Sequence, residues 1–282
     1  MAIPIIDNWE SYFQHRHEGL GSSYERVILN LLLSRICSTY KVERVLETPS
    51  FGFTGLSGIN SMFMAGSGAK VFLEDHNLSR IEQIRSLWSE CKLPLEIAVS
   101  HDYRILDYAD KSMDLLWNFS ALWFVKDLAA FISESSRVAS KAILICVPNS
   151  QGLGFRMQSK TGTTAQKSEI NLGFIDPHSI ITLYKRQAWD LVESGYIDCP
   201  PWPDIGMAKE DFVARFLSWL LPLLPKAQAQ EPQQTLSILP FYQGLDEDFP
   251  QRMLRFYPFE RFLPIGFKRL WAHHYYLLFV PR

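Results

Sequence analysis

Carboxylates and glycines are concentrated in one stretch of the chain, between Val42 and Asp75. An apolar strand ends on Glu47, and three glycines follow it: Gly52, Gly55 and Gly58. A second strand, Lys70 to Leu73, leads directly into Glu74 and Asp75. Glycines let a backbone approach a ligand closely, and a carboxylate about twenty or more residues downstream can accept bonds from both hydroxyls of a ribose. The spacing predicts a βαβ unit that holds a nucleotide-like ligand, although the glycines alone are equally typical of a tight turn that binds nothing.

The elements that position these residues alternate between strands and helices. Apolar runs predict strands at Glu43 to Glu47, Lys70 to Leu73, Leu95 to Val99, Met113 to Asn118 and Ala142 to Val147. Helical spacing or capping predicts helices over Tyr24 to Cys37, from a capping box at Ser79, over Val125 to Arg137, and from Asp176 to Gly195. This alternation predicts an α/β fold, a Rossmann-like doubly wound sheet in three layers that is mostly parallel.

The carboxyl-terminal end differs in kind. Phe262 to Trp271 and Tyr275 to Val280 leave little room for a crossover helix, so we expect an antiparallel hairpin at the sheet edge. Four parts are predicted: an N-terminal helical cover (1–40), a cofactor-binding core (41–150), an inserted lid or helical lobe (151–235) and a part that completes the sheet (236–282). Within the inserted lobe we expect a helix over Lys209 to Leu221 and a flexible segment over Lys226 to Thr235.

Composition narrows the class of protein. The 282 residues are 47% hydrophobic with a net charge of -2, so we expect a sizeable core and no affinity for nucleic acid or membranes. The cysteines are far apart, and the amino terminus shows no basic segment followed by an apolar one. These features predict a cytoplasmic protein with reduced thiols; they do not indicate an oligomeric state.

Histidines and further acids offer weaker indications. His15 and His17 lack a third ligand nearby, so no metal site is predicted there or elsewhere. Residues that could act as a general base are His101, His178, Asp198, Asp204 and the pair His273 and His274. Nothing in the sequence places any of them in a pocket, and adjacent histidines on a strand point to opposite faces, so the catalytic residues remain undetermined.

Four segments occur in an order that resembles a known family. They are Val45-Leu46-Glu47, Gly68 to Asp75, His101-Asp102-Tyr103 with Ser112 to Leu115 after it, and Trp117-Asn118-Phe119 continuing to Val147-Pro148-Asn149. This order resembles the class I S-adenosylmethionine-dependent methyltransferases, in particular their small-molecule, methyltransferase type 11-like branch. The resemblance covers roughly residues 42 to 150.

The resemblance implies S-adenosylmethionine as cofactor, S-adenosylhomocysteine as product, and a role for each matching residue. Asp75, or Glu74 in its place, would hold the ribose, and His76 would be a further cofactor-binding residue; Asp102 would accept from the adenine amine while Tyr103 contacts the ring. Glu47 would orient the loop of Gly52 and Gly55 or reach the methionine amine. Asn118 and Phe119 would line the floor from which the methyl group leaves.

The glycine loop departs from the family pattern. Glycines are expected directly after the first strand's acid, where this chain has Pro49, Phe51 and Phe53. Either the glycines are shifted within a longer loop, or the pocket has degenerated. The resemblance therefore predicts a methyltransferase that transfers the methyl group to an unidentified small-molecule acceptor by in-line displacement. The alternatives are a nicotinamide-dependent oxidoreductase, which uses the same glycines and acid, and a methyltransferase-like binding protein without turnover.

Overall fold

The computed structural model describes residues 9–51, 55–156, 171–202 and 236–282. Its described strands form one sheet in the order β3-β2-β1-β4-β5-β7-β6. The strands are β1 (Arg44–Glu47), β2 (Lys70–Asp75), β3 (Glu96–Val99), β4 (Met113–Phe119), β5 (Ala139–Pro148), β6 (Trp189–Ile197) and β7 (His274–Pro281). β1 to β5 are parallel, whereas β7 runs antiparallel to both β5 and β6. The predicted Rossmann-like α/β fold with an antiparallel edge is confirmed.

Helices cover both faces of this sheet. They are α1 (Trp9–His15), α2 (Gly19–Tyr40), α3 (Met62–Gly66), α4 (Leu78–Glu90), α5 (Leu128–Val138), α6 (Pro177–Arg186), α7 (Leu239–Tyr242), α8 (Phe249–Leu254), α9 (Tyr257–Phe262) and α10 (Ile265–Trp271). Successive residues of β1 show the layering, since Val45 belongs to one buried apolar cluster and Leu46 to the other, and neither is exposed. Burial on both faces explains why the parallel strands read as nearly continuous apolar runs.

The strand register brings the acids to one rim. Glu47 lies opposite Leu73 of β2 and Trp117 of β4, and Asp75 lies opposite Val99 of β3. The carboxyl ends of four parallel strands therefore finish within a few residues of each other. This is the edge of an open α/β sheet at which ligands bind.

Three sequence predictions are corrected. The helix that starts at Asp176 ends at Arg186, because Ala188 adopts φ +59°, and the following residues pair with β7 as the edge strand β6. Phe262 to Trp271 is not a strand: Pro264 caps the start of α10, where its missing N–H costs nothing. The cap of α4 is Asn77 rather than Ser79, since the Asn77 side chain accepts from the Arg80 backbone N–H.

The predicted helix over Lys209 to Leu221 and the segment Lys226 to Thr235 lie outside the described residues, and the four domain boundaries stay predictions. Within the described part of the chain, every helix is too short or too polar to cross a bilayer. All four cysteines are free thiols.

Candidate functional site

Glu47, the acid at the end of β1, is fully buried and held by the loop that follows it. Its two carboxylate oxygens accept from Ser61 Oγ at 2.6 Å and from Asn60 Nδ2 at 3.3 Å, and Ser61 in turn accepts from Trp117 Nε1. Burial raises the pKa of Glu47 to about 7, although both hydrogen bonds and the Arg26 charge oppose the rise. The rim therefore holds a carboxyl group that titrates near neutrality.

The same loop is tied to the N-terminal helix by a buried ion pair. Arg26 of α2 donates two bonds to Glu18 Oε1 and further bonds to Asn60 Oδ1 and to the Leu56 carbonyl. Arg26 and Glu18 are almost completely buried, at 1% and 7% exposed. A continuous polar chain thus runs from α2 through Asn60 to Glu47.

The described glycines of this loop are required by the packing of protein groups. Gly55 has φ +135°, and a Cβ on it would stand 2.6 Å from Glu18 Oε1; Gly58 has φ +71°, and its Cβ would stand 2.5 Å from Ile84. Neither position accepts a side chain, because both the backbone conformation and the space exclude one. Gly52 lies outside the described residues.

Asn118, near the end of β4, joins two strands at the rim. Its Nδ2 donates to the Thr48 carbonyl at 3.1 Å, and its Oδ1 accepts from the Ala121 N–H. Phe119 is buried beside it, with its ring centroid 4.5 Å from that of His274. These residues fix the backbone after β1 against the end of β4.

Asp75, at the end of β2, is bound by a cation from its own chain. Arg80 in the first turn of α4 donates Nε to Oδ2 at 2.8 Å and a guanidinium N–H to Oδ1 at 2.6 Å. The Asn77 backbone N–H also donates to Oδ1, and Ser50 Oγ lies 3.4 Å from Oδ2. A carboxylate offers about four acceptor positions, so these donors account for all of them.

An aromatic group covers this ion pair. The Arg80 guanidinium lies 3.5 Å from the centroid of the Phe51 ring, which is 2% exposed and packs on His76 and Phe124. His76 Nδ1 is 3.0 Å from the Tyr103 hydroxyl, and its Nε2 is 3.3 Å from Arg80. Burial lowers the pKa of His76 and raises that of Tyr103, so both side chains are neutral hydrogen-bonding groups near pH 7.

Glu74 points to the opposite side of the sheet, as the alternation of side chains along a strand requires. Its Oε2 accepts from Thr48 Oγ1 at 2.7 Å, and it lines a cavity of about 290 Å³ together with Glu96, Asp107 and Tyr108. Burial raises the pKa of Glu74 to about 7, and the Asp107 charge adds to the rise.

Asp102, by contrast, faces outward. Its side chain is 26% exposed and forms an ion pair with Arg104 at 2.6 Å. The hydrogen bond from Arg104 lowers the pKa of Asp102. Tyr103, in the left-handed conformation at φ +57°, turns inward instead.

The structure thus brings Asp75, His76 and Tyr103 together through Arg80, and joins Glu47 to the glycine loop. Glu74 and Asp102 point away from that group. The assignment of all these residues to a cofactor stays a prediction. Glu47 and Asp75 differ in how well they fit adenosylmethionine. The Glu47 oxygens keep acceptor positions, whereas Asp75 fits a ribose contact only after the Arg80 guanidinium has moved.

Sequence reasoning missed Arg80, and it noted Phe51 only as a departure from the glycine pattern. An available indication was the position of Arg80 in the first turn of a helix, where the helix dipole disfavours a cation unless a carboxylate lies nearby. Asp75, five residues earlier, is that carboxylate. The place of Phe51 where a glycine is expected indicated an altered loop, but a loop aromatic does not show from sequence which group it covers.

The comparisons with known proteins agree with the fold. A family model described as a methyltransferase domain matches residues 54–146, from the glycine loop to β5. This match confirms the resemblance to class I S-adenosylmethionine-dependent methyltransferases. No curated protein sequence matches the chain.

Three solved structures share the architecture. Phosphoethanolamine N-methyltransferase 2 of Haemonchus contortus, solved with phosphomonomethylethanolamine and S-adenosylhomocysteine, is 15% identical with TM-score 0.52, over 90% of this chain and 52% of that one. A Galdieria sulphuraria protein provisionally named a sarcosine dimethylglycine methyltransferase is 10% identical with TM-score 0.50, over 89% and 84% of the two chains. The [4+2]-cyclase SpnF gives 10% identity and TM-score 0.50, over 89% and 80%. These likenesses show the fold, and the cyclase among them illustrates that the fold does not fix the reaction.

Proposed function

We propose that this protein is an S-adenosylmethionine-dependent methyltransferase that transfers the methyl group to a small-molecule acceptor by in-line displacement. The observation that carries the proposal is the strand order, with antiparallel β7 inserted between β5 and β6, in a chain whose residues 54–146 match a methyltransferase domain. The resemblance assigns cofactor contacts to the buried acids Glu47 and Asp75 at the carboxyl ends of its first two strands. Released S-adenosylhomocysteine is the product.

The cofactor would supply an electrophilic methyl group on a sulfonium, which needs little from the protein beyond alignment with the acceptor. Glu47 would hold the glycine loop in shape, and Asn118 would fix the backbone after β1 against β4, as the hydrogen bonds at the rim support. Asp75 would accept from the ribose once Arg80 is displaced. The proposal includes a small-molecule partner, a cytoplasmic setting and a cover built in part from residues 151–235.

One observation favours a second candidate, a methyltransferase-like protein that binds but turns nothing over. The Asp75 carboxylate is saturated by Arg80, Asn77 and Ser50 in this structure. A ligand that needs this carboxylate must compete with a buried, bidentate ion pair. The nicotinamide-dependent oxidoreductase has no comparable observation in its favour.

Thermal unfolding with separate additions of adenosylmethionine, adenosylhomocysteine and NAD tests the proposal. A ligand at a hundred times its dissociation constant adds about 2.7 kcal/mol to the free energy of unfolding, which moves the midpoint by several degrees. We expect a rise with both adenosyl ligands and none with NAD; a rise with NAD alone overturns the proposal. Asp75→Asn should abolish the rise, whereas Asp190→Asn, which removes an exposed partner of Arg282 on β6, should leave it intact.

Turnover separates the two remaining candidates. Production of adenosylhomocysteine from a set of small nucleophiles supports the methyltransferase. Binding without turnover of any acceptor supports the binding protein. A rise in midpoint that survives Asp75→Asn assigns the ribose contact to another residue.

A further inference from the structure

Three side chains from distant parts of the sequence converge beside the end of β4. Glu25 comes from α2, Asp198 follows β6, and His274 is the first residue of β7. Their exposed fractions are 2%, 2% and 1%. One oxygen from each acid and one ring nitrogen of His274 all lie within 4.8 Å of one another.

The three converging atoms have no hydrogen bond within the described part of the chain. They are Glu25 Oε1, Asp198 Oδ1 and His274 Nε2. Glu25 Oε1 and His274 Nε2 approach to 2.5 Å without the alignment of a hydrogen bond. A single buried polar atom without a partner is uncommon, and three at one point require an explanation.

The other atoms of the same residues are anchored. His274 Nδ1 is 2.8 Å from Ser120 Oγ, and Asp198 Oδ2 is 2.5 Å from His273 Nδ1. Metal ligands are held in this way, because a histidine that binds a metal through one nitrogen uses the other in a hydrogen bond that fixes its ring. Asp198 also adopts the left-handed conformation at φ +61°, a backbone strain that tends to occur at binding and catalytic positions.

We propose that Glu25, Asp198 and His274 bind one divalent transition-metal cation, Zn²⁺ before others. Two carboxylates and a neutral imidazole carry a charge of -2, which one divalent cation neutralises within a buried site. One nitrogen and two oxygen donors match zinc, whereas magnesium prefers oxygen ligands and retains its waters. The cation would join α2 to the antiparallel edge of the sheet, a role separate from the proposed methyl transfer.

An ion pair between protonated His274 and Glu25 does not account for the arrangement. Such a pair directs an N–H at a carboxylate oxygen, and here the two atoms meet without that alignment. The ion pair also leaves Asp198 Oδ1 without a partner. A cation shared by all three atoms would give each of them a partner, once Glu25 Oε1 and His274 Nε2 separate from 2.5 Å to the roughly 3.4 Å that two ligands of a tetrahedral zinc require.

Titration of the full chain with Zn²⁺ tests this site directly. The protein is freed of metal with a chelator, and Zn²⁺ binding is followed by calorimetry, with Co²⁺ as a spectroscopic substitute whose visible absorption reports its ligands. We expect one equivalent of Zn²⁺ to bind and Mg²⁺ not to compete. A wild-type chain that binds Zn²⁺ no more tightly than Asp198→Asn overturns the proposal.

Variants assign the binding to these residues. Glu25→Gln, Asp198→Asn and His274→Gln should each weaken Zn²⁺ binding by at least about a hundredfold, and Ser120→Ala by about tenfold through loss of the ring anchor. His15→Ala, which removes an exposed histidine of α1, should bind as the wild type does. Circular dichroism checks folding, and Zn²⁺ should raise the unfolding midpoint of the wild type but not of Glu25→Gln; an equal rise in both contradicts the assignment.

Discussion

The buried pair of Arg80 and Asp75 gives the sharpest prediction. Arg80→Met keeps an unbranched side chain against Phe51 but removes the charge, and Asp75 is left as a buried, uncompensated carboxylate. Breaking one partner of a buried pair costs about 3 to 5 kcal/mol. The free energy of unfolding in urea should fall by that amount.

A double-mutant cycle separates the pair from packing changes. Asp75→Leu combined with Arg80→Met should recover most of the loss, giving a coupling energy of at least about 2 kcal/mol, because the apolar pair leaves no buried charge. Arg282→Met is the matched control, since its partner Asp190 is 46% exposed, and it should cost less than about 1 kcal/mol. Additive single losses, or an Arg80→Met loss no larger than that of Arg282→Met, would refute the reasoning.

The same variant tests the ribose contact. Removing the guanidinium frees acceptor positions on Asp75 for two ribose hydroxyls, and each charge-assisted bond contributes about 1.5 to 3 kcal/mol. Adenosylhomocysteine should therefore bind Arg80→Met at least about ten times more tightly than the wild type, measured by calorimetry. Unchanged or weaker binding would place the ribose away from Asp75.

Three further outcomes are expected. Burial raises the pKa of Glu74 from 4.5 to about 7, so between these pH values the folded chain holds a proton that the unfolded chain has lost. The free energy of unfolding should therefore fall by about 3 kcal/mol as the pH rises from 4.5 to about 7. Glu74→Gln should remove this part of the pH dependence measured by urea unfolding, and an unchanged pH dependence contradicts the assignment. Gly58→Ala should lower the free energy of unfolding by at least about 1 kcal/mol more than Gly244→Ala, because both glycines have φ near +70° but only the Cβ at position 58 would clash with Ile84. Equal urea midpoints for the two variants would show that the clash relaxes. Asn77→Ala should lower the free energy of unfolding by about 1 kcal/mol through loss of the α4 cap, and a loss below a few tenths would count against the cap.

The sheet was readable from the sequence because its parallel strands are buried on both faces. Apolar runs such as Ala142 to Val147 have few alternatives to a central strand. The prediction for the edge strand β6 was wrong for the converse reason, because β6 is half exposed. Its mixture of Asp190, Glu193 and Ser194 with apolar residues is as compatible with a continued helix as with a strand. Only pairing with β7 decides the matter, and pairing is not a local property.

The candidate site could also be predicted only in part. Residues next to strand ends, such as Glu47 and Asp75, could be named from sequence, since the topology alone carries them to the rim. What those acids contact could not, because Arg80 reaches Asp75 through the geometry of a helix start. The cluster of Glu25, Asp198 and His274 could not be predicted from the sequence, since residues so widely separated form no spacing motif. Both adjacent histidines are buried, and His273, which precedes the strand, is held by Asp198.

The buried bonds of Arg26 bear on how the protein could be shortened or recombined. A chain begun at residue 41 would lose the guanidinium that holds Asn60 and the Leu56 carbonyl, and with it the shape of the loop beside Glu47. Exchange of amino-terminal segments between distant relatives would disturb this loop for the same reason, unless Glu18 and Arg26 were transferred together. Glu18 and Arg26 are therefore part of what holds the loop beside Glu47 in place.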